Sequence, residues 1–260
     1  MTLRVTKKTE DAEKLPPVVI LAGGLGTRLR AAYSAGPKSM APVGGRPFLD
    51  YLLRWLRSEG VEEVILCVGY KRTSIQRYVA GGRKWGLRVR YSVEQELLGT
   101  GGALKKAEEL ISCDRLLAIN GDTLVGVDLR ELVKFHRSRR AWATVAVVNV
   151  ADDRRYGSLK MDCEGRITAF LEKKERAMGE NRKNEGQTIN GGVYVFEKKF
   201  LKKFRPGHVS LEREVFPPTL RSKRLYGFVS EAYFLDIGVP DDLRRAQNEL
   251  RKRFRVSNPD

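Results

Sequence analysis

The chain is predicted to fold as an α/β protein around a doubly wound, mostly parallel sheet. Three observations predict it. Apolar runs of strand length alternate with amphipathic segments of helical period through the first half of the chain. A glycine-rich turn, Gly23-Gly24-Leu25-Gly26, follows the first apolar run directly, where a parallel sheet opens onto a ligand crevice. Two carboxylates, Asp122 and Asp236, stand just beyond later apolar runs, at strand ends that would face that crevice. A chain of 260 residues buries a substantial core. With no internal repeat or linker, a single domain is expected over residues 16–255, preceded by a variable extension at residues 1–15.

The elements follow in order. Val18 to Ala22 reads as a buried strand. An amphipathic helix follows, with Phe48, Leu52, Trp55 and Leu56 on one stripe and Gly60 as its stop. Val64–Val68 is the second buried strand. A helix around Ser74–Val79, a short strand at Val89–Ser92, a helix from Gly102 to Leu110 and a strand at Leu116–Asn120 continue the alternation. Asp128 and Glu131 have capping-box spacing and open a helix that leads to the β-branched strand Ala143–Val150. The later half changes character. Ser158–Met161, Ile167–Glu172 and Thr188–Phe196 are strands between polar turns, with Arg176–Gln187 the longest polar loop, so antiparallel members and a lid-like subregion are expected. Leu211 to Leu220 reads as helix up to its prolines, and Tyr233–Ile237 as a strand. The closing helix, Pro240 to Phe254, stacks Leu243, Ala246, Leu250 and Phe254 on one face.

Lysine and arginine number 49 against 32 aspartates and glutamates, a formal net charge of +17. Such a charge concentrates anionic partners of any kind. The basic residues are scattered without interleaved aromatics or a nucleic-acid motif. Clusters such as Arg137-Ser138-Arg139-Arg140 and Arg251-Lys252-Arg253 fall at helix ends, where cations complement the macrodipole. Neither a nucleic acid nor a membrane is expected as a partner. No apolar run approaches the ~20 residues of a bilayer span, and the charged start lacks a signal-peptide core, so a cytoplasmic protein is expected. Cys67, Cys113 and Cys163 fit neither metal-ligand spacing nor a disulfide framework and are expected as reduced, mostly buried thiols. His136 and His208 have no visible partner and are expected to be surface structural residues.

The chemistry concentrates at the glycine turn. Backbone N–H groups of such a turn approach an anion closely, and Arg28 and Lys38 add fixed positive charge. The turn is not a phosphate loop ending in Gly-Lys-Ser/Thr, and it lacks the third small residue of a dinucleotide fingerprint, since Leu29 stands there. Taken alone it could equally be a tight connection. Asp122 alone would be an ordinary turn carboxylate. With Asp236 placed similarly, the two could hold a Mg²⁺, which favours a few carboxylate oxygens completed by phosphate and water.

The pattern Gly23-Gly24-Leu25-Gly26-Thr27-Arg28-Leu29 with Pro37-Lys38 downstream resembles the signature of the sugar-1-phosphate nucleotidylyltransferases, and the likeness runs from Val18 to about Leu250. The resemblance implies a Rossmann-like fold of GT-A type, with a small antiparallel sugar-binding subregion in one nucleotidyltransferase domain. It implies catalytic roles for Arg28, Lys38 and Lys173, and a catalytic Mg²⁺ on Asp122 and Asp236. By the same likeness, Leu21, Ala22, Gly23, Gly24, Gly26, Thr27, Asn120 and Gly121 would bind substrate. The segment Glu94-Gln95-Glu96-Leu97-Leu98-Gly99-Thr100-Gly101-Gly102-Ala103 looks like the family's base-recognition strip. Tyr156-Gly157 and Asn190-Gly191-Gly192 look like its sugar-contacting turns, and Glu172-Lys173 like the pair that meets the sugar phosphate.

The implied reaction is in-line attack of a sugar 1-phosphate on the α-phosphorus of a nucleoside triphosphate, with pyrophosphate leaving. Segments such as Pro37-Lys38-Ser39-Met40-Ala41-Pro42-Val43 and Asp236-Ile237-Gly238-Val239-Pro240 look most like the guanylyltransferases of D-glycero-α-D-manno-heptose 1-phosphate and of mannose 1-phosphate, which implies GTP and a manno-configured sugar. The chain departs from the pattern at Ser39, where a proline is usual. The left-handed β-helix of larger relatives is not expected, and a homo-oligomer is left open. Three other readings remain at this level. A GT-A glycosyltransferase would share the crevice, although Asp122-Thr123-Leu124 lacks the second aspartate of an Asp-x-Asp motif. A catalytically silent regulatory subunit would share the fold, and a nucleic-acid-binding protein would share the charge.

Overall fold

The computed structural model describes residues 14–150, 158–171 and 187–254. The chain enters through β1 (Val18–Leu21), passes the glycine turn and a small hairpin of β2 (Pro42–Val43) and β3 (Arg46–Pro47), and forms α1 (Phe48–Ser58). It then alternates β4 (Glu63–Val68), α2 (Arg72–Val79), β5 (Arg88–Val93), α3 (Gly99–Ala107) and β6 (Arg115–Asn120). Next come the short β7 (Thr123–Val125), α4 (Leu129–Ser138), β8 (Ala143–Val150), β9 (Ser158–Met161), β10 (Ile167–Leu171) and β11 (Gln187–Glu197). α5 (Lys198–Leu201), α6 (Phe216–Thr219), β12 (Leu225–Ser230), β13 (Phe234–Asp236) and α7 (Pro240–Arg253) complete the order.

The main sheet runs β5-β4-β1-β6-β11-β8-β12. β5, β4, β1 and β6 are parallel neighbours, with Leu21 opposite both Cys67 and Asn120. β11 alone opposes them, antiparallel to β6 and β8, while β12 lies parallel to β8. The expected doubly wound, mostly parallel sheet with antiparallel members is therefore what forms. Successive side chains along a strand point to opposite faces. Val18 and Ile20 accordingly join one core, with the buried stripes of α1 and α7, while Val19 joins the other with Ala103, Leu104 and Phe216. Burial on both faces is why these strands read as continuous apolar runs. β9 and β10 form an antiparallel hairpin whose first strand meets β11 at Ile189.

Several expectations are corrected. β12 was not legible, because a glycine within Leu-Tyr-Gly-Phe-Val-Ser argues against a strand interior. Gly227 lets Met161 pack close, since a Cβ there would sit 2.3 Å from Met161 Sδ. α3 starts at Gly99 rather than Gly102, its early N–H groups satisfied from outside when Gly101 and Gly102 donate to the Val209 carbonyl (2.8 and 3.2 Å). The helix expected at Leu211–Leu220 forms, beginning as a wide π-type turn, Leu211–Val215, that runs directly into α6, but the prolines open the second segment instead of ending the helix. Proline fits a first helical turn because that N–H has no intrahelical acceptor. His136 is fully buried, not on the surface, with Nδ1 2.8 Å from Thr144 Oγ1. Of the thiols only Cys67 is buried, whereas Cys113 and Cys163 are exposed. The loop expected at Arg176–Gln187 lies outside the described residues apart from Gln187, which begins β11.

Candidate functional site

The carboxyl ends of β1, β5 and β6 open onto a cleft made of two adjoining cavities of about 220 and 420 Å³. The smaller is lined by Ala22, Arg28, Lys38, Ser39, Gly121 and Gly238 among others. The larger is lined by Gly23, Glu94, Leu97, Gly99, Thr100, Asn120 and His208. Leu21, Gly24, Gly26, Thr27 and Asp122 line both. A larger cavity of about 710 Å³ lies at the opposite, amino ends of the strands. Its cations are largely engaged, as with Lys14 on Glu62 (2.5 Å) and Arg115 on Glu197 (2.8 Å). Open α/β sheets bind ligands at the carboxyl ends, and the separated charges stand there.

Two aspartates 114 positions apart meet through secondary structure. Asp122 directly precedes β7, Asp236 ends β13, and these strands pair antiparallel with Asp236 opposite Thr123. The Ile237 N–H donates to the Asp122 carbonyl (3.0 Å), closing the corner. Lys38 stands between the two carboxylates, its Nζ 2.5 Å from Asp122 Oδ2 and 3.7 Å from Asp236 Oδ1. A tight turn over Lys38–Met40 fixes its backbone, with the Met40 N–H donating to Pro37 O (2.8 Å).

Burial would raise the Asp122 carboxyl, but the Lys38 charge and hydrogen bond, with a donor at Thr123 Oγ1 (3.2 Å), outweigh it and hold Asp122 below the usual carboxylate range. Asp236 goes the other way, raised by burial and by the neighbouring Asp122 charge. Its Oδ1 is buried without a hydrogen-bond partner among the described residues. Two half-buried carboxylates sharing one ammonium are short of positive charge, which is the donor set a hard divalent cation completes with phosphate oxygens. No group of three or more His, Cys, Asp or Glu suited to a metal occurs among the described residues, so such an ion would draw its other ligands from substrate and water.

The glycine turn supplies the opposite wall. Gly23 packs against Glu94 so closely that a Cβ would fall 2.4 Å from Glu94 Oε1. Glu94 itself is buried, its Oε1 has no hydrogen-bond partner among the described residues, and burial pushes its carboxyl above the usual range. Arg28 is exposed at the cleft with no ion-pair partner among the described residues. Ser39, at the position that departs from the family pattern, is buried, its hydroxyl without a hydrogen-bond partner among the described residues.

The expected site residues are brought together unevenly. Arg28, Lys38, Leu21, Ala22, Gly23, Gly24, Gly26, Thr27, Glu94, Gly99, Thr100, Asn120, Gly121 and Asp122 all line the cleft, and Asp236 lies behind it against Lys38. Gln95 is exposed and lines neither cavity. Asn190 is held beside the cleft, its Nδ2 donating to the Tyr194 hydroxyl (2.9 Å) and its Oδ1 accepting from the Gly192 N–H (2.9 Å). Tyr156, Gly157, Glu172 and Lys173 lie outside the described residues. Three site residues were missed. His208 reaches the larger cavity from a loop, and Tyr194 and Glu212 join a polar network behind Asn190 and Thr100. The Thr100–Glu212 contact spans 112 positions, which no local pattern marks.

Residues 17–253 match the family model described as nucleotidyl transferase. The chain is 42% identical over 234 residues to a D-glycero-alpha-D-manno-heptose 1-phosphate guanylyltransferase of Aneurinibacillus thermoaerophilus, covering 90% of this chain and 97% of that protein. It is 40% identical over 235 residues to a mannose-1-phosphate guanylyltransferase of Mycobacterium tuberculosis, covering 89% of this chain but 64% of that longer protein. Among solved structures, HddC from Yersinia pseudotuberculosis complexed with GMP-PN superposes with a TM-score of 0.77 at 34% identity, covering 91% of this chain and all of that one.

Proposed function

The chain belongs to the nucleotidyl transferase family, and from that membership and the charges of the cleft we propose that it joins GTP and a manno-configured sugar 1-phosphate into a GDP-sugar and pyrophosphate, with Mg²⁺ held by Asp122 and Asp236. The observation that carries the reading is Lys38 suspended between two half-buried aspartates, beside a glycine turn and an arginine with no ion-pair partner among the described residues. Similarity to two guanylyltransferases of manno-configured substrates supports the substrate class.

Two anions must be brought together, so repulsion between them is the main obstacle. The turn at Gly23–Thr27 offers backbone N–H groups to the triphosphate, and Arg28 adds a cation that needs no prior partner to be broken. Lys38 is placed to neutralise the α-phosphate once the carboxylates have another counter-charge. When bound, the divalent ion supplies charge neutralisation at the reacting phosphate oxygens. Lys173, with Glu172 in the adjoining position, would receive the incoming sugar phosphate. No side chain is needed as a general base, since the attacking phosphate oxygen is already ionised.

Glu94 supports guanine over the other bases. Its buried carboxylate accepts and does not donate, its Oε1 has no partner among the described residues, and guanine alone presents two adjacent donors, N1–H and the N2 amino group, on its pairing edge. Pyrophosphate release measured over a grid of nucleoside triphosphates and sugar 1-phosphates tests the reading. Release is expected with GTP plus mannose or manno-heptose 1-phosphate and Mg²⁺. Release without a sugar phosphate would indicate a hydrolase, and no release with any pair overturns the proposal.

A further inference from the structure

The base wall and the sugar wall of the cleft are joined behind their surfaces by a single carboxylate. Glu212 lies on the wide turn Leu211–Val215 and accepts at both oxygens. Its Oε2 takes hydrogen bonds from Thr100 Oγ1 (3.2 Å) and Ser210 Oγ (3.1 Å), and its Oε1 takes one from the Tyr194 hydroxyl (3.3 Å). Each arm then continues. Thr100 Oγ1 accepts from the Leu211 N–H (2.8 Å), and the Tyr194 hydroxyl accepts from Asn190 Nδ2 (2.9 Å). Asn190 Oδ1 accepts from the Gly192 N–H, so both ends of its amide are oriented.

The donors and acceptors run in one sense along each arm and converge on Glu212, which a carboxylate can satisfy because it accepts without donating. Tyr194 is fully buried, and its phenol is raised well above the usual range, first by burial and then by the Glu212 charge, so it stays a neutral donor. One arm ends at Thr100 in the first turn of α3, which lines the cavity beside Glu94. The other ends at Asn190 on β11, in the segment assigned to the sugar. Thr100 and Asn190 are 90 positions apart, on different elements, and this carboxylate links them by side-chain contacts alone.

We infer that Glu212 is a positioning residue, which touches neither substrate and holds the nucleotide wall in register with the sugar wall. The inference rests on the proposed guanylyltransferase activity. Cutting one arm alone therefore perturbs one substrate alone. Tyr194→Phe removes the Asn190 arm, along with the hydroxyl's contact to Asn120, and leaves Thr100 bonded to Glu212. It is expected to raise KM for mannose 1-phosphate about 5- to 10-fold, the size of one lost buried hydrogen bond, while KM for GTP changes less than about 2-fold. Glu212→Ala cuts both arms and raises both KM values, and Glu212→Gln, which keeps one acceptor, recovers part of the loss.

The measurement is initial-rate pyrophosphate release, varying each substrate in turn, with melting temperature followed in parallel. A merely structural role would lower stability and rate without splitting the two KM values. Tyr194→Phe raising both KM values equally, or neither, overturns the inference even if Glu212→Ala fails to fold. Wild-type protein that releases no pyrophosphate overturns the proposed activity and the relay together. Wild-type turnover with an unsplit Tyr194→Phe overturns the relay alone.

Discussion

At the scale of single residues, the cleft depends on charges that are partly withdrawn from water and incompletely paired among the described residues. Asp122→Asn and Asp236→Asn each remove a charge and almost no volume. Each is expected to lower kcat by about 10²-fold or more, the usual cost of a lost transition-state electrostatic contact, and to shift the Mg²⁺ concentration needed for half-maximal rate. Near-normal turnover in either variant would remove that residue from the metal site. Glu94→Gln exchanges an acceptor for a donor where burial forbids water from compensating. The kcat/KM preference for GTP over ATP is expected to fall about 10- to 150-fold, matching the ~1.5–3 kcal/mol of a hydrogen bond to a charged group. An unchanged preference would place base recognition elsewhere. Most of these residues were legible as types in a pattern, since a glycine turn and strand-end aspartates are local signals. That Lys38 bridges both aspartates was not, because the bridge spans 84 and 198 positions.

Elements carry the site on caps and turns. Asp128 opens α4, and its Oδ1 accepts from the Arg130 and Glu131 N–H groups (2.9 and 3.0 Å). α4 buries Leu129, Leu132 and His136 against the sheet. Asp128→Ala is expected to cost about 1 kcal/mol, up to ~2, read as a lower urea midpoint at constant slope, with substrate KM values unchanged because α4 lies away from the cleft. A change in slope would mean that the cap also shapes the unfolded chain. This element was legible because a cap is a contact across three residues. β7 and β13 were harder. β7 has three residues and no periodicity of its own, and it exists because it pairs with β13. That pairing is what places Asp122 beside Asp236.

Across the whole molecule, the sheet buries ionisable groups that couple folding to pH. His136 sits between α4 and β8 at the sheet, beside Thr144, with Glu197 of β11 at 3.5 Å and Arg115 of β6 bonded to that glutamate. Burial outweighs the attraction of Glu197 and lowers the imidazole to about 4 from an ordinary value of 6.5. The unfolded chain therefore takes up a proton before the folded one does. The stability this residue contributes is fully present above pH 6.5 and is lost as pH falls toward about 4. The loss is at most about 3 kcal/mol at ~1.4 kcal/mol per unit. Urea titrations at pH 7 and pH 5 are expected to show about 2 kcal/mol of that loss in the wild type, ~1.5 pH units at ~1.4 kcal/mol each, and a flatter dependence in His136→Gln; equal slopes would mean another group dominates. The amino-acid sequence by itself determined the winding of the sheet, the cleft's position and the residue types that line it, because alternating apolar runs, glycine turns and caps are written within a few residues of each other. Only the tertiary structure decided that β11 runs against its neighbours, that β12 extends the sheet, that His136 is buried, and that Glu212 ties two walls together. Each of those is settled by a contact between segments far apart in the chain, whose energy no local pattern encodes.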